Sequence, residues 1–218
     1  MSERLSQPPT IRDTQQVMLD LKRLYAPYEQ EYSPEGQPWN GYDRFVGFVG
    51  DTEKLNKVIR KWQTTPIHEV DTPGLQKEMG HHIADYLFSI FATADDFSLD
   101  LEIPPVEPAS SDVRDIVQST PIDFSASFRD MTRRVQSLVP VNGVESLFGE
   151  LLGAAAKDTM GLAGKRVRSN PAEGLTKSLR GLFVTTLCLS DKYGVNIDQA
   201  VRDMTQEKSA HIKATLKK

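Results

Sequence analysis

The same order of helical segments occurs twice along this 218-residue chain, about 97 residues apart. The segment EKLNKVI, which begins at Glu53, aligns with ELLGAAA, which begins at Glu150. The segment FSLDLE around Asp100 aligns in the same way with VNIDQA around Asp198. Because two independent anchors share nearly one spacing, we predict a duplicated helical unit. The alternative is four unrelated amphipathic helices of similar length.

Both halves are predicted to be all-α. Apolar residues recur at intervals of three and four, and alternating runs of β-branched residues, which would indicate strands, are nearly absent. Two polar segments that contain glycine and proline, 26–43 and 161–174, are predicted to be loops. The predicted helices are 11–25, 44–62, 75–97, 125–139, 144–160, 175–194 and 196–218.

The chain is predicted to hold two helical repeats, 1–101 and 124–218, joined by a linker over 102–123 that contains four prolines. A helical hairpin cannot bury its apolar face alone. The repeats should therefore pack on each other as a pseudo-symmetric helix bundle, or on a second chain in a homo-oligomer. We predict the first arrangement.

Composition excludes several classes of protein. The net charge of −4 disfavours a general nucleic-acid-binding surface. Apolar runs of membrane-spanning length and the apolar core of a secretory signal are both absent from the sequence, so we expect a cytoplasmic protein without a membrane partner. The single cysteine, Cys188, lies in the apolar run GLFVTTLCLS, which favours a core residue over a catalytic thiol.

The segment MGHHIADYLFSIF places His81, His82 and Asp85 on an otherwise apolar helix. Polar groups on a buried helix are costly unless they have partners. Two interpretations follow. The residues are metal or phosphate ligands, or they are a structural or nucleotide-contacting remnant of such a site.

The segment HHIADYLFSIFATADDFSLDLE and the later KYGVNIDQAV resemble the MazG-like, all-α nucleoside triphosphate pyrophosphohydrolases. Asp85 precedes Asp100 by fifteen residues, which is the spacing in that family, and SPEGQPWNGYD is similar to its Pro-Trp-Asp entry. The resemblance implies two MazG-like helical repeats and a Mg²⁺ site. A Glu-x-x-Glu pair on one helix and a Glu-x-x-Asp pair on the next would hold ions that carry the triphosphate and help to activate water.

The chain departs from that pattern at most of the expected carboxylates. Such replacements remove oxygen ligands that Mg²⁺ prefers, so we expect no metal at the second-half position and at most weak binding at the first. In the first half, the positions of the two carboxylate pairs are occupied by Gly50 and Glu53 and by His82 and Asp85. In the second half, they are occupied by Leu147 and Glu150 and by Arg180 and Phe183.

The retained polar cluster supplies the candidate site residues. The candidate metal ligands are Glu53, Glu78, His82 and Asp85, with Glu53 and Asp85 also as candidate catalytic residues. A mixed set of His, Asp and Glu can hold Mn²⁺ or Zn²⁺ as well as Mg²⁺. Two hypotheses follow. The chain binds a nucleotide or a protein partner with little or no hydrolysis, or it is a metal-dependent nucleoside triphosphate pyrophosphohydrolase that uses the first-half site.

Two further features have a functional and a structural interpretation. The segment GLAGKRVR offers glycines and basic residues for a phosphate, or it is a solvated loop without the context of a P-loop. Trp39 and Trp62 can stack on a base, or they can cap the core.

Overall fold

Eight helices form the described part of the chain in a computed structural model, which covers residues 8–33, 36–66, 71–102, 112–139 and 144–215. The all-α prediction is confirmed, and these ranges contain no β-strand. None of the helices in these ranges is long and apolar enough to cross a membrane. The helices are α1 (Ile11–Tyr32), α2 (Gly41–Thr64), α3 (Thr72–Asp96), α4 (Val113–Ser119), α5 (Phe128–Leu138), α6 (Val144–Leu162), α7 (Pro171–Lys192) and α8 (Ile197–Thr215).

Side chains that cap free N–H groups fix where several helices begin. Before α1, the hydroxyl of Thr10 accepts a hydrogen bond from the amide of Asp13, whose carboxylate accepts one from the amide of Thr10. Asn40 and Asp43 form the same reciprocal pair before α2. Ser127 caps α5. These starts are encoded locally, because each cap residue precedes the first periodic apolar residues.

The first helix continues through residues 26–32, so the loop that we predicted there is wrong in its first part. Pro27 lies inside α1, although it removes one helical hydrogen bond. The rings of Tyr25 and Tyr28 pack edge to face at 6.1 Å, and Glu29 is 4% exposed. Contacts made by the last turns therefore outweigh the local proline signal.

The predicted linker over 102–123 includes a short helix, α4. Asp112 caps this helix by accepting a hydrogen bond from the amide of Arg114 at 2.8 Å. Val117 is fully buried, and α4 packs against α7. The proline-rich stretch 103–111 lies outside the described residues.

Two helical hairpins, α2 with α3 and α6 with α7, form the frame of the molecule. Their second helices, α3 and α7, are the most buried and pack against each other. Helices α1 and α8 cover α3, whereas α4 and α5 cover α7. Each central helix is therefore surrounded by others, which explains the nearly continuous apolar character of both sequences.

Aromatic rings join the two hairpins at the centre of the core. Tyr86 stacks on Phe148 with ring centroids 4.6 Å apart, and the ring centroid of Phe48 lies 4.4 Å from that of Tyr86. All three side chains are fully buried. This stack connects α2, α3 and α6, so the hairpins share one core.

Cys188 on α7 is 3% exposed and forms part of this core, which confirms the interpretation of its sequence context. Burial raises the pKa of the thiol to about 11. A thiol with so high a pKa is protonated at neutral pH and is a poor nucleophile.

A network of buried charges connects α1, α2 and α3. The guanidinium of Arg44 donates two hydrogen bonds of 2.8 Å to the carboxylate of Glu29, and its Nε lies 2.9 Å from Oδ2 of Asp96. Lys22 pairs with Asp96 and, at 2.6 Å, with Asp95. Buried charges are costly unless they are paired, so these helices can pack only in an arrangement that satisfies the whole network.

Replacing Arg44 tests this dependence. Arg44→Met leaves the carboxylate of Glu29 buried without its cation, and we expect a loss of about 3–5 kcal/mol in the free energy of unfolding, measured by denaturant titration. Lys57→Met is the control, because Lys57 and its partner Glu53 are both 71% exposed, and it should leave stability nearly unchanged. Equal stability of Arg44→Met and wild type would contradict the role assigned to the network.

Candidate functional site

Asp85 lies on α3 where α8 crosses it, and its side chain is 8% exposed. Its Oδ1 lies 2.9 Å from Nζ of Lys208 on α8, and its Oδ2 lies 3.4 Å from Nε2 of His81. The close crossing depends on Gly80, where an added Cβ would lie 3.2 Å from the Cβ of Ala200. The carboxylate predicted to hold a metal is thus neutralised by a cation of the chain itself.

The surroundings of Lys208 favour its charged form. Burial lowers the pKa of this ammonium group, but the carboxylate of Asp85, together with Tyr25 and Asp51, raises it above its ordinary value. The ring of Tyr25 lies 5.9 Å from Nζ, and Asp51 on α2 adds to the negative field. Asp51 itself accepts a hydrogen bond from Ser89 at 3.2 Å. The carboxylate of α2 that acts on Lys208 is therefore Asp51. The motif comparison instead names Glu53 as the candidate residue of this helix.

Two other predicted ligands pair with lysines at the surface. Glu53 lies 2.9 Å from Lys57, and Glu78 lies 2.8 Å from Lys61. Among the described residues, no three His, Cys, Asp or Glu side chains are grouped closely enough to hold a metal ion. A hard cation such as Mg²⁺ needs several oxygen ligands directed at one point. The described structure does not gather the four predicted ligands at one point, and a Mg²⁺ or Mn²⁺ site formed by them stays a prediction.

His82 is half-buried beside this cluster. Burial lowers the pKa of its imidazole, and the neighbouring His81, whose ring centroid is 5.5 Å away, lowers it further. Its buried Nδ1 has no hydrogen-bond partner among the described residues. The side chain of His82 is therefore a neutral, half-buried imidazole on α3. The histidine that contacts Asp85 is His81.

The corresponding second-half position is filled by protein groups. Arg180 donates hydrogen bonds to the carbonyl oxygens of Asp100 and Glu102 at 2.9 and 2.8 Å. Phe183 is fully buried, and Leu147 is 9% exposed. A guanidinium, a phenyl ring and an aliphatic side chain do not supply ligands for a hard cation.

A cavity of about 890 Å³ opens beside the first turn of α2. Its wall includes the rings of Trp39, Tyr42 and Phe97 and the ammonium group of Lys165. Trp39 is 47% exposed, and Nζ of Lys165 lies 3.6 Å from the centroid of the Tyr42 ring. Cavities of this size, with aromatic walls and a few polar groups, are typical of small-molecule sites.

The segment GLAGKRVR is divided between two roles. Arg168 donates two hydrogen bonds, of 2.9 and 2.7 Å, to Oδ1 of Asp158, which is 2% exposed. The carboxylate is also held close to Gly174, where a Cβ would lie 2.4 Å from Oδ2. Arg168 thus anchors the loop, and Lys165 is the basic residue of this segment that faces the aromatic cavity.

Of the two tryptophans, one borders the core and the other lines the aromatic cavity. Trp62 packs against Tyr193 with ring centroids 5.0 Å apart and borders the core. Trp39 keeps a free face in the cavity. Only Trp39 is therefore placed to stack on a ligand.

Sequence reasoning missed Lys208 and Asp158. Lys208 pairs with the buried carboxylate of Asp85, and the buried carboxylate of Asp158 pairs with Arg168. Lys208 lies in a polar segment that looks like a solvated helix face, and no local pattern identifies its distant partner. Asp158 gave one usable signal, because it follows the apolar run GELLGAAA at a helical spacing that places it inside the packed face.

No family model matches this chain, and neither a curated protein nor a solved structure does. The MazG-like resemblance rests on the motifs and their spacing, and it stays a prediction.

Lys208→Met tests the role of the internal cation. The change leaves Asp85 buried without its ammonium partner, and we expect the free energy of unfolding to fall by about 3 kcal/mol. Lys213→Met, an exposed position on the same helix, should have little effect. Adding Asp85→Asn should restore part of the lost stability, since the amide is neutral. Full stability of Lys208→Met alone would contradict the pairing.

The lowered pKa of His82 predicts a pH dependence of stability. The unfolded chain binds a proton at His82 below about pH 6.5, whereas the folded chain binds it only at a lower pH. This contribution is therefore fully present above about pH 6.5 and is lost as pH falls through the folded-state pKa. Melting temperatures between pH 7 and pH 5 should decline less steeply for His82→Gln than for wild type. An unchanged slope would show that His82 does not contribute.

Proposed function

We propose that the chain is a divergent, tandem MazG-like protein that binds a nucleotide without hydrolysing it. The observation that carries this proposal is the state of Asp85, whose two oxygens face Lys208 and His81 at 2.9 and 3.4 Å. A carboxylate engaged in this way is not available to a divalent cation. Hydrolysis of the MazG-like type depends on such a cation, so binding is the function that the geometry favours.

The helix contacts support the proposed pseudo-symmetric pair of repeats, with α2, α3 and α4 corresponding to α6, α7 and α8. In this correspondence α8 packs on α3 just as α4 packs on α7, and α1 packs on α3 as α5 packs on α7. The extended residues before α1 and α5 meet in an antiparallel bridge between Thr10 and Ser127. Both residues are helix N-caps, so the bridge joins equivalent points of the two halves.

The aromatic cavity supplies the binding chemistry. A planar base can lie against the free face of Trp39, and stacking of a base on an aromatic ring contributes about 1–3 kcal/mol. The ammonium of Lys165, now over the Tyr42 ring, can exchange that cation–π contact for a charge-assisted hydrogen bond to a phosphate. The volume of about 890 Å³ accommodates a nucleotide.

Two acidic residues in the same wall do not oppose an anionic ligand strongly. Asp43 accepts a hydrogen bond from the amide of Asn40 in the α2 cap. Asp96 pairs with Arg44 and Lys22. The cations beside Asp96 neutralise its charge, and the dipole of α2 offsets part of the charge of Asp43 in its first turn. Lys165 lines the same wall and can turn toward a ligand.

Trp39 provides a direct readout of this proposal. The chain has two tryptophans, so Trp62→Phe leaves Trp39 as the single indole reporter. Titration of this variant with ATP in the presence of a chelator should quench the fluorescence. Lys165→Gln should weaken binding by about tenfold, which corresponds to about 1.4 kcal/mol for one lost charge-assisted contact.

A matched control and an activity assay complete the test. Lys157→Gln removes an exposed lysine of α6 that does not line the cavity, and it should bind ATP like its parent. Pyrophosphate release with Mg²⁺ or Mn²⁺ should equal that of buffer alone. Release that disappears in Asp85→Asn would favour the alternative, a metal-dependent pyrophosphohydrolase. If no nucleotide quenches the fluorescence of Trp39, the binding proposal is overturned.

A further inference from the structure

A second cleft, of about 780 Å³, lies between α5 and the start of α8. Three arginines line it: Arg129 and Arg133, one turn apart on α5, and Arg202 on α8. This concentration of guanidinium groups stands out in a chain of net charge −4. Guanidinium groups bind phosphate and carboxylate groups through paired hydrogen bonds.

Two of these arginines, Arg133 and Arg202, make only weak contacts within the chain. Arg133 lies 3.7 Å from Asp130 on its own helix, and Arg202 donates a hydrogen bond of 3.0 Å to Gln199 one turn away. Both contacts are exposed to solvent, where such pairs contribute little. The two side chains can therefore exchange them for an incoming anion.

Asp198 lines the same cleft as the three arginines. Burial raises the pKa of its carboxyl group, although Arg202 and Arg129 act in the opposite direction. Its Oδ1 is buried and has no hydrogen-bond partner among the described residues. A buried acceptor without a donor is unfavourable, and rotation of the Asp198 side chain toward the cleft that it lines would let a ligand hydroxyl group satisfy it.

An apolar cleft of about 330 Å³ adjoins the first, and Pro9, Asp198 and Arg202 line both. Its floor includes Val17, which is 45% exposed, and Val201, which is 4% exposed. The two adjoining clefts therefore combine guanidinium groups, the carboxylate of Asp198 and an aliphatic patch at Val17 and Val201.

We infer that the groove formed by these two clefts, between α5, α8 and α1, is a second binding site, for a small sugar phosphate that carries an apolar or planar substituent. The phosphate contacts Arg129 and Arg133, a sugar hydroxyl donates to Asp198, and the substituent covers Val17. The combination of chemical groups in the groove determines this class of ligand. The site is separate from the aromatic cavity and goes beyond the proposed function.

The dimensions of the groove favour a small ligand over a macromolecule. The two volumes lie within the range of small-molecule sites. The acidic groups Asp191 and Asp198 interrupt the basic surface, whereas a polyanion such as nucleic acid requires an extended basic one. An acidic peptide would leave the aliphatic end unused.

Ribose 5-phosphate is the first probe, and the amide signals of Gly194 and Asn196, which line the cleft, are the reporters by NMR titration. We expect both signals to shift. Arg129→Gln should weaken binding by at least about tenfold, the loss for one charge-assisted contact. Arg134→Gln is the matched control, because Arg134 lies on the same helix but pairs with Asp123 outside the cleft, and its affinity should stay within about twofold of wild type.

Two variants test the other contacts. Asp198→Asn should weaken ribose 5-phosphate but not inorganic phosphate, which has no sugar hydroxyl. Adenosine 5′-monophosphate should bind more tightly than ribose 5-phosphate, and Val17→Thr should reduce that difference. All titrations are repeated in Lys165→Gln, so that a failure of the aromatic cavity is distinguished from a failure here. Equal effects of Arg129→Gln and Arg134→Gln, unshifted signals at Gly194 and Asn196, or tighter binding of an acidic peptide would overturn the assignment.

Discussion

The buried ion network of Glu29, Arg44 and Asp96 determines how the first three helices meet. Its charges come from three different helices, and each would be strongly unfavourable if the others moved away. The network also positions the aromatic cavity, because Oε2 of Glu29 accepts a hydrogen bond from the amide of Trp39 at 3.3 Å and Asp96 immediately precedes Phe97. The cavity wall is therefore held by the same interactions that fix the helix packing.

Internal cations take the places where the resemblance implies carboxylates and metal ions. Lys208 neutralises Asp85 in the first half, and Arg180 binds main-chain carbonyl oxygens in the second. An ammonium group carries one charge and hydrogen-bond donors but cannot coordinate a water molecule for attack as a divalent metal does. A hydrolase of the MazG-like type would need such a metal, so these two cations are the basis of the binding role proposed above.

Local sequence patterns predicted the helices well but could not predict their tertiary partners. Periodicity identified the all-α class. The starts predicted at residues 44 and 125 differ by a few residues from the caps Asn40 and Ser127, which fix where α2 and α5 begin. The end of α1 was missed because Pro27 is overridden by contacts that the sequence does not reveal locally. At the candidate site, the need of Asp85 for a partner could be anticipated from its apolar helix. The identity of that partner could not, because Lys208 has the sequence context of a solvated residue.

The two clefts share a position at the ends of helices, away from the packed faces of the helical frame. Each lies at the start of a helix that an asparagine caps, Asn40 before α2 and Asn196 before α8. Residues at such ends line a cavity without filling the core, so they can change with little cost to packing. The central faces of α3 and α7 have no such freedom, because nearly every side chain there is enclosed by other helices. New ligand chemistry is thus more accessible at the helix ends than at the carboxylate positions between the hairpins.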